Sequence, residues 1–385
     1  MTGKERVLAT VERRPVDRVP VYHSSFSGHA ARVILGREAL VGGGFVRWRA
    51  IQALWEGPDA YDAYLSQCEA DALAVARACG HDVLRPSYWN WGGGRPAAKL
   101  AENEFLFRPP DGHEYTMVYH PETELLTRRN GTGAGASDSL PSRESLARQV
   151  EQAESEAAQP ASADAPVTDT PSLHEKYPDY IVKAGFGTPQ VNVQNTASLT
   201  AAALWPELTR RLLVARARKT AKKIPRLARQ GLLLSFGGGD FCSNKGPVIS
   251  PAMFREVVLP GLRILTDTCH KHGIRYLYAT DGNVWPVADE LFVAGGVDGF
   301  FEIDRRAGMD LRKLRARYPH LTLFGNISVH TLHRGTQEAV RRETMDCLET
   351  AKALGGIVIG ASNLIMPGTP PENILTMLET IRDNR

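Results

Sequence analysis

The stretch YLYATDGNV, residues 276–284, carries an apolar run straight into Thr280, Asp281, Gly282 and Asn283. A carboxylate at such a strand end can act as a general acid or accept a substrate hydrogen bond. The competing reading is a turn cap, because Asp-Gly-Asn is strong turn chemistry. Glu302 ends a second such run, GFFEID, between Phe301 and Ile303. A carboxyl desolvated by those neighbours would hold its proton more firmly, as an acid must. An ion pair with Arg305 is the plainer alternative. Asp240 closes a third run, LLLSFGGGD, where three glycines let the backbone approach a ligand closely. His23 closes the first run, VPVYHS, as an acid, base or ligand, or as an ordinary packed histidine. Trp89, Asn90 and Trp91 offer flat walls with polar tips for a planar substrate, with core packing as the alternative. Asn283, Asn326 and Asn363 stand at further run ends, where amides can orient substrate oxygens. Cys242 is the thiol nearest these positions and reads as buried and inert.

The elements that must hold these residues are short apolar runs followed by helical patterns. They cover 19–24, 81–87, 188–193, 232–240, 275–281, 299–304, 321–328 and 356–363. Runs rich in Val, Ile, Leu and aromatics, with little polar alternation, are typical of parallel strands buried on both faces. Eight strand–helix units predict an α/β fold, a (β/α)8 TIM barrel over residues 1–385 with a helical N-terminal extension. In such barrels chemistry sits at the C-terminal strand ends. Two interruptions break the repeat. Residues 102–120 read as a β-hairpin around Pro-Pro-Asp-Gly. Residues 129–172, poor in large apolar side chains, read as a flexible insertion containing one exposed helix, SRESLARQVEQAESEA.

Composition narrows the class. Of 385 residues, 43% are hydrophobic and 23% charged, and 46 basic against 43 acidic side chains leave a net charge of +3. No basic tract marks a nucleic-acid binder. The segment 210–229 is locally basic, but its apolar spacing suits an amphipathic helix with a solvated face. Five scattered cysteines without a CxxC argue for a reducing compartment. The charged N-terminus lacks an apolar h-region, and the run 353–371 is broken by Asn363 and prolines. A soluble, cytoplasmic protein that makes no membrane contact is expected.

Several stretches in order carry a family resemblance: TGKERVLATVERRPVDRVPV at the start, DFCSNKGPVISPAMFREVVLPGLRILTDTCHKHGI at 240–274, DGNVWPVADELFVAGGVDGFFEIDRRAGMDLRKLRARYPHLTLFGNIS at 281–328, and GTPPENI at 368–374. The chain resembles the uroporphyrinogen decarboxylase superfamily, and LGREALVGGG and DVLRPSYWNW resemble its corrinoid-linked methyltransferase branch. That resemblance implies a barrel and either decarboxylation of a porphyrinogen or methyl exchange with a corrinoid. The decarboxylases carry an arginine-rich motif after the first strand. Here YHSSFSGHAARVILGRE places Arg32 and Arg37 in a helical pattern instead. The zinc methyltransferases place His-x-Cys at the fifth strand end and Cys at the eighth. Here those positions read Ala279-x-Asp281 and Ser362–Asn363, so no zinc is expected.

The expected function is a methyltransferase performing O-demethylation of a small methoxylated, aromatic substrate. The methyl group would pass to a corrinoid (cobalamin) on a separate partner protein. Asp281, Glu302, Asp240 and His23 would carry the catalysis. A uroporphyrinogen decarboxylase-like lyase and a non-catalytic ligand-binding barrel stand as alternatives. The oligomeric state is open, a homodimer included.

Overall fold

A computed structural model describes residues 1–86, 92–109, 114–130, 142–160 and 170–385. The expected walls Trp89, Asn90 and Trp91 lie outside the described residues. The chain divides into two compact units. One comprises residues 1–17, 138–326 and 350–358, the other 18–137, 327–349 and 359–385.

The first unit is built on a five-stranded parallel sheet of Leu234–Gly238, Arg275–Ala279, Gly299–Phe301, Thr322–Phe324 and Ile357–Val358, adjacent in that order. Registers such as Tyr278 with Gly237 and Phe300 with Leu323 tie neighbours together. Their sequences are nearly continuous apolar runs, as strands covered on both faces require. Phe236, on the first strand in that order, meets Phe301 two strands away and Phe324 three strands away, with ring centroids 5.5 and 5.9 Å apart. Neighbouring strands lie about 4.8 Å apart. Ring contact across two and three strands therefore means that the sheet curls and the phenylalanines fill its concave face. Parallel α/β architecture is as expected, but the pairings among the described residues do not form one closed ring of eight strands.

The third expected strand is displaced. Residues 188–193 are irregular, and the strand is Ile181–Val182, continued by a parallel bridge from Ala184 to Ser235. Pro189 explains the error, because a proline cannot donate to a central ladder. The residues that follow cover the sheet instead. The Thr188 hydroxyl accepts from the Gly238 N–H at 2.7 Å and meets the Tyr276 hydroxyl, while Gln190 accepts from Tyr278 at 3.2 Å.

Within 129–172, the expected exposed helix is Arg143–Ala158, and it is docked. Ser142 caps its first turn by accepting from the Ser145 N–H at 3.1 Å. Leu146 and Val150, four residues apart on one face, are buried against Ala201 and Leu212. Each such burial contributes about 1.5–3 kcal/mol. The ion pairs Arg211–Glu154 and Lys219–Glu156 line its edge, exposed and therefore weak.

In the second unit, residue Val21 pairs in parallel with Ile359, and Ser25–Phe26 with Leu364–Ile365. The hairpin expected at 102–120 is present as Glu104–Phe107 paired with Tyr115–His120, inside a four-stranded antiparallel sheet. No helix among the described residues is long and apolar enough to cross a membrane.

Candidate functional site

Three expected site carboxylates, Asp240, Asp281 and Glu302, end strands of the first unit's sheet. Gly238 pairs with Ala279, and Ala279 with Phe301, so each carboxylate follows its paired residue by one or two positions. The Asp281 N–H donates to the Asp240 carboxylate at 3.3 Å, which joins two of these ends. Asp240 is exposed, while Asp281 and Glu302 are half-buried.

The glycines before Asp240 serve the fold, where the sequence suggested ligand approach. Gly238 has φ +111°, and a Cβ there would lie 2.2 Å from the Ala279 carbonyl oxygen. A Cβ on Gly239 would lie 1.9 Å from the Gln190 amide nitrogen. Beyond them, burial first and the Asp240 charge second push the Cys242 thiol up to about 12. It stays protonated at neutral pH and is a poor nucleophile.

The turn chemistry of residues 280–284 belongs to Asn283. Its side-chain oxygen accepts from the Trp285 N–H at 3.0 Å, and its own N–H donates to the Ser243 carbonyl at 2.9 Å. Asn283 therefore caps this turn through its side-chain oxygen. Glu302 holds φ +65°, a left-handed conformation that costs a non-glycine residue roughly 1–2 kcal/mol. Such outliers persist where surrounding structure enforces them, and they cluster at functional sites.

Asn326 makes a contact within the fold. It is fully buried and donates to the Met309 carbonyl at 3.0 Å, which pins the loop after Asp304. Asn363, half-buried in the second unit, accepts from the Leu364 N–H at 2.5 Å.

His23, expected as acid, base or ligand, lies in the second unit's core at 0% exposure. Among the described residues, His23, Cys79 and His81 form the cluster whose ligand atoms fall within 4.8 Å of one another. Its hydrogen bonds do not suit a cation. His23 Nδ1 accepts from the Ala361 N–H at 2.9 Å, and His81 Nε2 accepts from the His23 N–H at 3.1 Å. Burial lowers the His23 pKa to about 3 and that of His81 well below its usual value, so both rings are neutral. Each proton must then sit on the other nitrogen, His23 Nε2 and His81 Nδ1, both buried without a partner. Metal-bound histidines have the reverse arrangement, with the free nitrogen as ligand and the other N–H donating. The cluster presents two N–H groups and a thiol that burial keeps protonated. At the strand ends, the Ala279 methyl group cannot ligate zinc, and Asp281 alone makes a poor site.

One cation that the sequence reading did not place lies against the same sheet. Lys183 follows the true third strand, and its ammonium lies 5.3 Å from the Phe236 ring centroid and 4.8 Å from that of Phe301. The signal was present as a lone lysine after an apolar triplet, YIVK, but the misplaced strand concealed it.

Residues 239–384 match the family described as Uroporphyrinogen decarboxylase (URO-D). No curated protein matches the chain. Among solved structures, a methyltransferase from Methanosarcina mazei is similar over 100% of this chain and 99% of its own, with TM-score 0.60 and 18% identity. At that identity the likeness speaks for the fold alone. The resemblance to the uroporphyrinogen decarboxylase superfamily is therefore carried in sequence by residues 239–384, and the fold is shared with that solved structure over the whole chain.

Proposed function

We propose that the chain is a methyltransferase of O-demethylating type, built as a closed (β/α)8 barrel. It would move a methyl group from a small methoxylated aromatic compound to a reduced corrinoid carried by a partner protein. The observation that carries this reading is the carboxylate set Asp240, Asp281 and Glu302 at paired strand ends, beside a Cys242 thiol that burial keeps protonated. The corrinoid, as second substrate, supplies the electron pair that forms the new bond to carbon, so the chain need not provide a nucleophile. Its own tasks are to hold the ether, keep the methyl group in line for transfer, and protonate the oxygen as the O–CH3 bond breaks. Orientation alone can account for several kcal/mol of barrier. Asp281 or Glu302, protonated, would donate to the departing oxygen in place of a Lewis acid.

The decarboxylase reading needs arginines to grip several carboxylates. Arg32 lies inside the helix Gly28–Leu35, and Arg37 pairs with buried Asp71 at 2.7 Å. Both facts weigh against it. The deciding experiment incubates the protein with cob(I)alamin and a panel of methoxybenzenes, with uroporphyrinogen as the competing substrate. Methylcobalamin and the free phenol are expected. Carbon dioxide from the porphyrinogen would replace this reading with the lyase, and turnover of neither would leave a ligand-binding protein.

A further inference from the structure

We propose that the second unit holds a binding site for a small phosphate monoester with an apolar body, its phosphate gripped by Arg18 and Arg77. The site shares no residue with the carboxylate set assigned to methyl transfer, and the inference does not rest on that reading.

The site is a cavity of about 500 Å³, within the range of about 300–1,000 Å³ that small-molecule pockets occupy. It lies where the helix Pro58–Ala78 ends and the chain passes through Gly80 towards the strand Val83–Leu84. The helix Pro371–Asn384 forms another wall. This is the N-terminal end of that strand, whereas Asp240, Asp281 and Glu302 follow the C-terminal ends of theirs. Among the described residues that line the cavity, four are arginines and one, Glu379, is acidic. Two of the arginines are engaged by the fold. Arg385 donates to the Gly80 carbonyl at 2.5 Å and to buried Asp82 at 3.3 Å, and Arg382 donates to Asp383 at 2.9 Å. Asp383 chiefly, and Glu379 more weakly, raise the Arg382 pKa, so the Glu379 charge is felt by Arg382. Arg18 and Arg77 are exposed, and neither side chain has an ion pair or a hydrogen bond with any described residue.

A helix C-terminus favours a nearby cation, and Arg77 stands in the last turn of its helix. That accounts for Arg77 alone. Arg18 lies in a bend before the run 19–24, outside any helix, and lines the same cavity. Two guanidinium groups on one cavity repel each other, and an anion between them turns that repulsion into attraction. A phosphate monoester carries a charge of about −1.5 to −2 at pH 7 and three acceptor oxygens. Planar guanidinium forks match those oxygens in pairs. The rest of the wall is aliphatic. Ile34 and Leu378 are half-buried, and Leu375 leaves 42% of its surface exposed. An alkyl group lying against them removes apolar surface from water, which inorganic phosphate cannot do. Head and body of the ligand are thus both specified.

The test is calorimetric titration of the full chain with hexyl phosphate at fixed ionic strength, with hexanoate, hexanol and inorganic phosphate as comparators. The variants are Arg18→Met, Arg77→Met, the two combined, and Leu375→Ser, each checked for an unchanged melting profile. All three positions are exposed, so the fold should tolerate them. Hexyl phosphate should bind about tenfold or more tightly than any comparator. Each arginine variant should weaken it by about tenfold and the double variant by about a hundredfold, the scale of one charge-assisted contact per arginine. Leu375→Ser should weaken hexyl phosphate by about threefold or more and leave inorganic phosphate unchanged. Undiminished hexyl phosphate affinity in the double variant would overturn the proposal. So would hexanoate or inorganic phosphate binding as tightly as hexyl phosphate, or no binding of any of the four. Arginine-dependent binding in a protein that shows no methyl transfer would leave this inference standing and remove the methyltransferase reading alone.

Discussion

The backbone N–H of Asp281 donates to the Asp240 carboxylate at 3.3 Å, so one carboxylate positions the loop that carries the other. Asp240→Ala should lower kcat by about tenfold to a hundredfold through misplacement of Asp281. Asp240→Asn, which keeps an oxygen acceptor, should recover most of the loss. Steady-state methyl transfer checks both, and equal defects in the two variants would show that the Asp240 charge acts directly.

Asp281 and Asn283 should separate cleanly. Asp281→Ala is expected to reduce kcat by about 10²–10⁴-fold, the range for loss of a general acid, with little change in Tm. Asn283→Ala removes the bond to the Trp285 N–H and should cost about 1 kcal/mol of stability. Its kcat should stay close to normal while the protein is folded. Thermal melts paired with initial rates decide between them, and full activity in Asp281→Ala would reduce Asp281 to a loop residue.

At φ +65°, Glu302 strains the backbone beside Phe301. Glu302→Gly should relieve about 1 kcal/mol and raise Tm, while activity falls by about 10²-fold or more. A lower Tm in Glu302→Gly would mean that the carboxyl contributes more to folding than its conformation costs.

The buried histidines make stability depend on pH. The His23 pKa is lowered from about 6.5 to about 3 by burial, and that of His81 is lowered by burial and by the neighbouring His23 and Arg385. Between these limits the unfolded chain binds more protons than the folded one. The stability these rings confer is therefore complete above about pH 6.5 and is lost progressively as pH falls towards 3. Each contributes up to about 1.4 kcal/mol per pH unit. Denaturant unfolding from pH 7.5 to 4 should show that slope. His81→Gln, whose amide oxygen can accept the His23 N–H, should flatten it. The unsubstituted protein, dialysed against a chelator and analysed for metals, should show no zinc held at this cluster, and retention of one zinc per chain would contradict the tautomer argument.

Leu146 and Val150 make the helix 143–158 part of the first unit's packing. Leu146→Ala should cost about 2–5 kcal/mol, locally or globally, and expose the helix to protease. Limited proteolysis should cut Leu146→Ala within the helix well before the unsubstituted chain. Equal resistance would show that the helix docks through its ion pairs and not its apolar face.

The sequence by itself determined the parts whose physics is local. Apolar runs with glycine or aspartate at their ends marked the five strands of the parallel sheet and the carboxylates Asp240, Asp281 and Glu302. The hairpin at 104–120 was legible because two β-prone runs flank a turn. Family motifs in 240–374 were legible because they are contiguous. Tertiary structure decided everything that depends on partners distant in the chain. Asn283 and Asp281 are equally good turn residues on paper, and only the position of the Trp285 N–H chose between them. His23 at a strand end reads as functional until the Ala361 N–H and the His81 ring occupy its surroundings. The helix 143–158 has too few apolar residues to advertise a buried face, yet two, spaced four apart, suffice once Leu212 lies opposite. Lys183 meets two phenylalanine rings only because the sheet curls. Curvature brings Phe236 and Phe301, 65 positions apart, within 5.5 Å of each other around one cation.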